Sequence, residues 1–441
     1  LGAGAPGVST GGEKGGFGGA LGLAYVDATA ITDIGQDARL WNHQVGQRSE
    51  QDLLIVNTAR AHAMNDDGGF GLNAGIAITD NTATTQALND AYEVAYVDKS
   101  FDMAAIDGSS VVTLAGSGTE GAKTGIAIGV AINLTDRTTE ARLTSRRVNL
   151  EGDVTVLAET SGTVLAAGTA SVQDREIPDE EAADETPETQ DPAETDPGAD
   201  ETPANTEDPD SVNVAADLLG DQADAVADAA GNGDDGSGGT GGSGGEENRT
   251  FSFSGDFAGT FGKTTTSLLL DEADIATEFG NAATFDALTD VQYGQASAVN
   301  AVAVDGVAIS GSFGLSFVDH STTAVMRDTA VYFYESDLDE LQGEDPALTR
   351  LSSKDQSVFD MLVTGRSSHA DDGWGVAVSA SFNRMRVDAE TRVEDSSITN
   401  GGFYGTPGTG GKGDEEGEFE FEFELGEEFE GEFSEEEGGE D

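Results

Sequence analysis

With 84 acidic residues against 21 basic ones, the 441-residue chain carries a formal charge of -63, which repels phosphate backbones and anionic lipid and excludes nucleic-acid binding or polybasic membrane docking. The absence of cysteine removes disulfides, thiolate zinc sites and cysteine nucleophiles together. No apolar run is long enough for a membrane helix, and Leu1 is neither a methionine nor the start of a charged-then-apolar leader, so the chain reads as a fragment or processed product.

The first glycine-rich runs, "GAGAPG" and "GGFGGALG", lack the Gly-Lys-Thr ending and following helix of a phosphate loop and read as turns. From Phe17 a different pattern begins. Phe17 to Tyr25 alternates between large apolar residues and Gly or Ala, and the alternation returns at Gly69 to Ile78, from Gly125 ("GIAIGVAINL"), at Phe251 to Phe261, at Val307 to Phe317 and at Trp374 to Phe382. Alternation with period two predicts a strand each time. A half-buried strand carries polar groups on its second face, whereas small residues there admit a closely approaching backbone. The expected arrangement is a sheet covered on both faces, with the large residues in a core and the small ones under a neighbouring layer.

Each copy is followed by Asp or Gly and a Thr-rich run: "DATAITDI" from Asp27, "DNTATTQAL" from Asp80, "DRTTEARL" from Asp136, "GKTTTSLLL" from Gly262 and "DHSTTAVM" from Asp319. An Asp two residues before Thr or Ser suits an Asx-type turn, so a turn and a short strand are predicted here, loosened in the sixth copy from Asn383. A third strand precedes each long one, at Asp52, Ser110, Asp153 and Ser357, ending in acidic turns such as "NDDGG" and "ADDGWG". The repeat is thus about 55 residues of strand, turn and strand, a period typical of solenoids and arrays.

Two segments interrupt the array. Residues 174–249 hold roughly two dozen acidic residues with prolines and glycines and cannot bury enough apolar area to offset their ordering entropy. Within them "SVNVAADLLGDQADAVADAA" from Ser211 has helical spacing. Residues 401–441 form an acidic Gly/Glu/Phe tail in which Glu and Phe alternate from Glu418 to Leu425; it reads as disordered, or as a strand that pairs once calcium or low pH neutralises its glutamates. The expected organisation is three repeats in 1–173, a disordered insertion in 174–249, three repeats in 250–400 and the tail.

The fold class expected is all-β: a repetitive β-solenoid-like array, that is a parallel β-helix, with an antiparallel β-sandwich or a β-barrel as alternatives. The run "VNLEGDVTVLAETSGTVLAAGTASV" from Val148, with the preceding Gly-x-Ala-x-Gly-Val-Ala-x-Asn strand and "TTEARL", resembles the repeats of large Gram-negative surface adhesins of the leukotoxin-type filamentous adhesin and filamentous-haemagglutinin-like class. The resemblance extends over Gly12 to Val172 and Phe251 to Val393. It implies β-solenoid stacking and a bacterial protein, secreted or presented at the cell surface, acting in adhesion or matrix formation.

Chemistry is sparse. His43, His62, His320 and His369 occupy four different repeat positions without metal-ligand spacing, which predicts exposed or turn placement. No acidic residue stands out from its repeat equivalents as a catalytic one, and no catalytic or cofactor-binding residue is assigned. Asp66, Asp67, Asp305, Asp371 and Asp372 fall in equivalent turns before long strands, where oxygen ligands suit calcium, although none matches the EF-hand or the nonapeptide β-roll loop. The function expected is a non-enzymatic adhesin or extracellular filament component whose partners are its own copies, other matrix proteins or glycans. The alternative is a carbohydrate-active β-helix enzyme or a calcium-dependent matrix protein.

Overall fold

Strand follows strand in a three-beat cycle that returns to the same sheet every repeat. The computed structural model describes residues 2–11, 15–65, 69–97, 99–173, 250–278, 280–303, 306–334, 348–369 and 373–400, and all its regular structure is β-strand. After β1 (Gly2–Gly11), the first coil is β2 (Gly16–Ile34), β3 (Arg39–Trp41), β4 (Gln44–Gln51) and β5 (Leu54–Asn65). The second is β6 (Phe70–Asn89), β7 (Glu93–Val97), β8 (Ser100–Asp107) and β9 (Ser110–Glu120). The third is β10 (Thr124–Leu143), β11 (Val148–Leu150) and β12 (Asp153–Gln173), and the fourth β13 (Thr250–Asp271), β14 (Asp274–Glu278) and β15 (Ala282–Ala303). The fifth is β16 (Gly306–Arg327), β17 (Ala330–Tyr334), β18 (Leu348–Asp355) and β19 (Val358–His369); β20 (Trp374–Glu394) and β21 (Ser397–Asn400) begin a sixth.

Every described pairing is parallel and joins equivalent strands of successive coils. Sheet B is β2-β6-β10-β13-β16-β20, sheet C is β3-β7-β11-β14-β17-β21, and sheet A stacks β1, β5, β9, β12, β15 and β19 with β4, β8 and β18. This is a solenoid-like parallel stack, not a set of hairpins. Sheet B keeps register with a step of 55 residues from Gly16 to Gly71 and 56 from Thr250 to Gly306. Two steps are longer: 127 residues from Thr124 to Phe251, and 67 from Val307 to Trp374. The strands on either side of 174–249 therefore belong to one stack, and Leu1–Gly402 form one compact unit. Residues 174–249 and 401–441, with the helix expected from Ser211 and the strand expected at Glu418 to Leu425, lie outside the described residues.

Two local expectations are corrected. The Asp-x-Thr stretches are not turns: β10 runs unbroken through Asp136 and Thr138, which simply continue the outward parity of one 20-residue strand. Chain reversal comes instead at the short links to sheet C. The two faces are also exchanged. In β10 the buried parity is Gly125, Ala127, Gly129 and Ala131, while Ile126, Ile128, Val130, Ile132 and Leu134 point outward and are half-buried or exposed.

The reason is the narrowness of the interior at that end. Sheets A and B approach so closely that a Cβ on Gly129 would lie 2.6 Å from the Thr169 carbonyl oxygen, and one on Gly75 would overlap the backbone of Gly116. Small residues and amides fill the gap between them: Ala20, Ala59, Ala61, Ala77, Ala115, Ala131 and Ala166 form one cluster, and Asn57, Asn73 and Asn133 are buried between the sheets as well. At the other end of the strands the coil widens and sheet C closes it. There Phe101, Met103, Leu143, Leu150, Leu268, Leu270, Phe285, Met326 and Phe333 form the main apolar core. Full burial of each such side chain contributes about 2 kcal/mol, so this wide end carries the hydrophobic stabilisation.

Between the two ends the interior is polar, and a row of threonines bridges the two sheets across it. Thr139, Thr160, Thr266, Thr289 and Thr322 alternate between the two sheets as a chain of hydroxyls with oxygen separations of 2.7–2.8 Å. A hydroxyl both donates and accepts, so the row continues from coil to coil without leaving an orphan, each bond being worth about 1 kcal/mol net.

Candidate interaction surface

Chemically distinctive side chains occur in three places: the polar interior, a cleft on sheet A and the outer face of sheet B. In the interior the column of sheet B that holds Ala83 and Thr264 also holds Arg137 and His320. Arg137 is fully buried; its Nε donates to Asp107 Oδ2 at 2.8 Å and its Nη2 to the carbonyl oxygens of Asp107 and Ser161. His320 is buried too, contrary to the expected exposure, with Nδ1 2.9 Å from Asp355 and Nε2 2.8 Å from the Tyr293 hydroxyl. Although burial raises the Asp355 carboxyl, hydrogen bonds from His320 and Ser357 and the attraction of His320 hold it below the ordinary carboxylate range. Burial pushes the Tyr293 phenol up. The Tyr-His-Asp order mimics a catalytic relay, but the ring of Tyr293 also stacks on Phe359 within the packed interior. It cross-braces sheets A and B.

Asp256 is the third buried acid. Its Oδ2 accepts from Ser297 at 2.8 Å and from the Ala298 N–H at 3.2 Å, while Oδ1 has no partner and presses against Gly129 and Gly168. Burial pushes its carboxyl from 3.8 up to about 7, against the lowering by Ser297 and the Phe257 and Ala298 amides. Between those pH values the unfolded chain is ionised and the folded one protonated, so this group's stabilisation is complete below about 4 and is lost as pH rises to about 7. The loss is bounded at about 4 kcal/mol. Asp256→Asn should accordingly raise the unfolding free energy over the parent by about 2–4 kcal/mol at pH 8 and change it little at pH 4, measured by urea unfolding. An equal difference at both pH values would show that Asp256 is not buried as a neutral acid.

On the outside of sheet A, where β4 gives way to β5 and β8 to β9, lies a cleft of about 330 Å³ lined by carboxylates and polar groups including Glu50, Asp52, Ser161 and Asp290. Beside it the Glu159 carboxyl is raised by burial and by Asp290, against Arg48. Among the described residues no three His, Asp or Glu side chains converge as a metal site. The calcium candidates Asp66, Asp67, Asp305, Asp371 and Asp372 lie outside the described residues. Of the other histidines, His62 sits 4.0 Å from Glu120, and His43 and His369 are exposed.

The outer face of sheet B is the largest feature. In-register pairing aligns six columns of apolar side chains across the coils: Phe70, Phe251, Val307 and Trp374; Phe17, Leu72, Ile126, Phe253, Ile309 and Val376; and so on to Tyr25, Leu134, Phe261 and Phe317. Phe257 stacks on Phe313 at 5.8 Å and Phe261 on Phe317 at 6.0 Å. Many of these side chains remain open to solvent, from 36% for Ile128 to 72% for Tyr25. The face spans roughly 33 Å along the strands by 24 Å across them, or about 800 Å², from strand spacings of ~4.8 Å and two-residue repeats of ~6.7 Å. Beyond it the same strands present Thr29, Thr84, Thr138 and Thr265. The apolar face and the polar one share each strand, divided by the columns of Tyr25 and Asp27.

Sequence alternation located these strands but gave the large parity to the core. Nothing local to the strand signals the correct assignment: Arg137, on the parity of Gly129 and Ala131, would by its charge argue for solvent, yet it lies buried against Asp107. No family of known proteins, no curated protein and no solved structure matches the chain.

Proposed function

We propose that this chain is a non-enzymatic structural repeat protein, secreted or displayed at a bacterial cell surface, that acts in adhesion or in an extracellular filament through the apolar outer face of sheet B. The observation that supports it is the extent of that face, a footprint of about 800 Å² in which most positions are apolar and many are open to solvent. A stack tied by in-register ladders holds the side chains of such a face in fixed positions, so little ordering entropy is lost on association. Arg137, His320, Tyr293 and the threonine row join sheet A to sheet B.

Two substitutions at outward positions test it. Val130→Glu and Phe313→Glu together should leave the far-ultraviolet circular dichroism unchanged and abolish retention on an apolar chromatography resin and enhancement of a hydrophobic-probe dye. Unaltered retention would remove the face from consideration. The cleft at Glu50, Asp52 and Asp290 is the place for the competing reading, a carbohydrate-active enzyme, and release of reducing ends from a glycan panel is the result that would favour it.

A further inference from the structure

Resting on that reading, we infer that the occupant of the apolar face is a second copy of this chain, packed face to face about a two-fold axis that lies parallel to the strands and between the third and fourth coils. The inference rests on what each column presents when the coil order is reversed. Such an axis leaves every column opposite itself, so that the apolar half meets the apolar half, and pairs the first coil with the sixth, the second with the fifth and the third with the fourth.

Charge is the first test of that arrangement. The column bordering the apolar face reads Asp27, Thr82, Asp136, Lys263, Asp319 and Arg386 from the first coil to the sixth. Reversed on itself it sets Asp27 against Arg386 and Asp136 against Lys263, each occurring twice by symmetry, and Asp319 against Thr82. The adjoining column sets Tyr25 against Arg384, a cation on an aromatic ring, and leaves Asp80 facing Phe317. No two like charges oppose each other. Keeping the coil order instead requires an axis across the strands, which reverses the order of the columns; centred on the apolar face, it takes this charged column away from its own copy and forms none of these pairs.

Size is the second test. The column Gly19, Ala74, Ile128, Gly255, Gly311 and Val378 pairs on reversal as Gly19 with Val378, Ala74 with Gly311 and Ile128 with Gly255. Each pair contains a glycine, and a Cβ added at Gly19 or Gly311 would meet nothing within 4 Å on its own chain. The small residues leave recesses opposite projecting side chains. Area agrees as well: about 800 Å² per copy is what a specific interface of standard size buries. The overall charge of -63 opposes non-specific contact between copies, so only a face with matched charges would overcome it.

Sedimentation of the full chain from 1 to 100 µM decides the matter, beside cross-linking in a background free of native cysteine. The expected result is a dimer of twice the 45.2 kDa chain mass. Asp27→Arg or Arg386→Asp alone should weaken association about ten-fold or more, and the two together in one chain should restore it, because both pairs are then re-formed with their signs exchanged. Chains carrying Leu21→Cys mixed with chains carrying Ala380→Cys should form a disulfide across the interface without any change to the charges. A monomer throughout that still binds phosphatidylcholine vesicles would overturn the dimer and leave the apolar face as a working surface. A monomer that binds neither vesicles nor apolar resin would overturn both, and a dimer indifferent to the charge exchange and unlinked by the cysteines would overturn this geometry.

Discussion

Arg137→Met should unfold about 3–5 kcal/mol more easily than the parent in urea, whereas Arg137→Met with Asp107→Leu should recover most of that loss. Both side chains of the pair are completely buried, and the carboxylate of Asp107 depends on the Arg137 Nε at 2.8 Å, with the Ser109 N–H as its other donor. Removing the guanidinium alone leaves a charge sealed among backbone carbonyls, and removes the donors that the Asp107 and Ser161 carbonyls accept from. Replacing both by apolar groups of similar volume removes the desolvation cost along with the attraction. Coincident transitions by circular dichroism and tryptophan fluorescence provide the free energies. A double variant less stable than the single one would show that the pair is favourable in itself and not merely compensated.

Gly129→Val should have the second large effect, and its control lies on the same sheet. The new Cβ would sit 2.6 Å from the Thr169 carbonyl oxygen and 2.7 Å from Asp256 Oδ1. The first of these neighbours is backbone, locked in the ladder between β12 and β15, and cannot rotate away. A loss of about 3 kcal/mol or more is expected, at the upper end of overpacking costs, with expansion that spreads to the adjoining coils. Gly311→Val is the contrasting case. It adds the same side chain on the outward parity, where nothing lies within 4 Å, and should be neutral or slightly stabilising because a β-branched residue favours the strand. Equal losses at the two positions would mean that glycine is needed for its backbone and not for the closeness of the sheets.

These two substitutions also mark what the sequence made legible. The period of about 55 residues, the six alternating strands and the parallel stacking were all readable, because register repeats side-chain type at fixed spacing. Which parity lies inside was not, for a physical reason. Residues such as Ile128 and Val130 are more hydrophobic than Gly129, and transfer energies alone would bury them. The distance between two backbones decides otherwise, and that distance depends on strands far apart in the chain. The Asp136 and Thr138 pair misled similarly: their turn preference is local and weak, and a ladder of twenty registered residues with β6 and another with β13 overrides it. His320 was illegible for a further reason, since its partners Tyr293 and Asp355 come from sheet A and no spacing rule connects them.

The unequal steps of sheet B carry a consequence for engineering. The chain advances by 127 residues between the third and fourth rungs and by 67 between the fifth and sixth, against 54 to 56 elsewhere, yet each rung meets its neighbour without a slip. The large additions enter after Gln173 and after Tyr334, where one sheet hands the chain to the next. Those corners are therefore permissive graft points: a foreign domain spliced there would project sideways while the rungs stay in step, whereas one extra residue within β10 would throw every later side chain of that strand onto the wrong face.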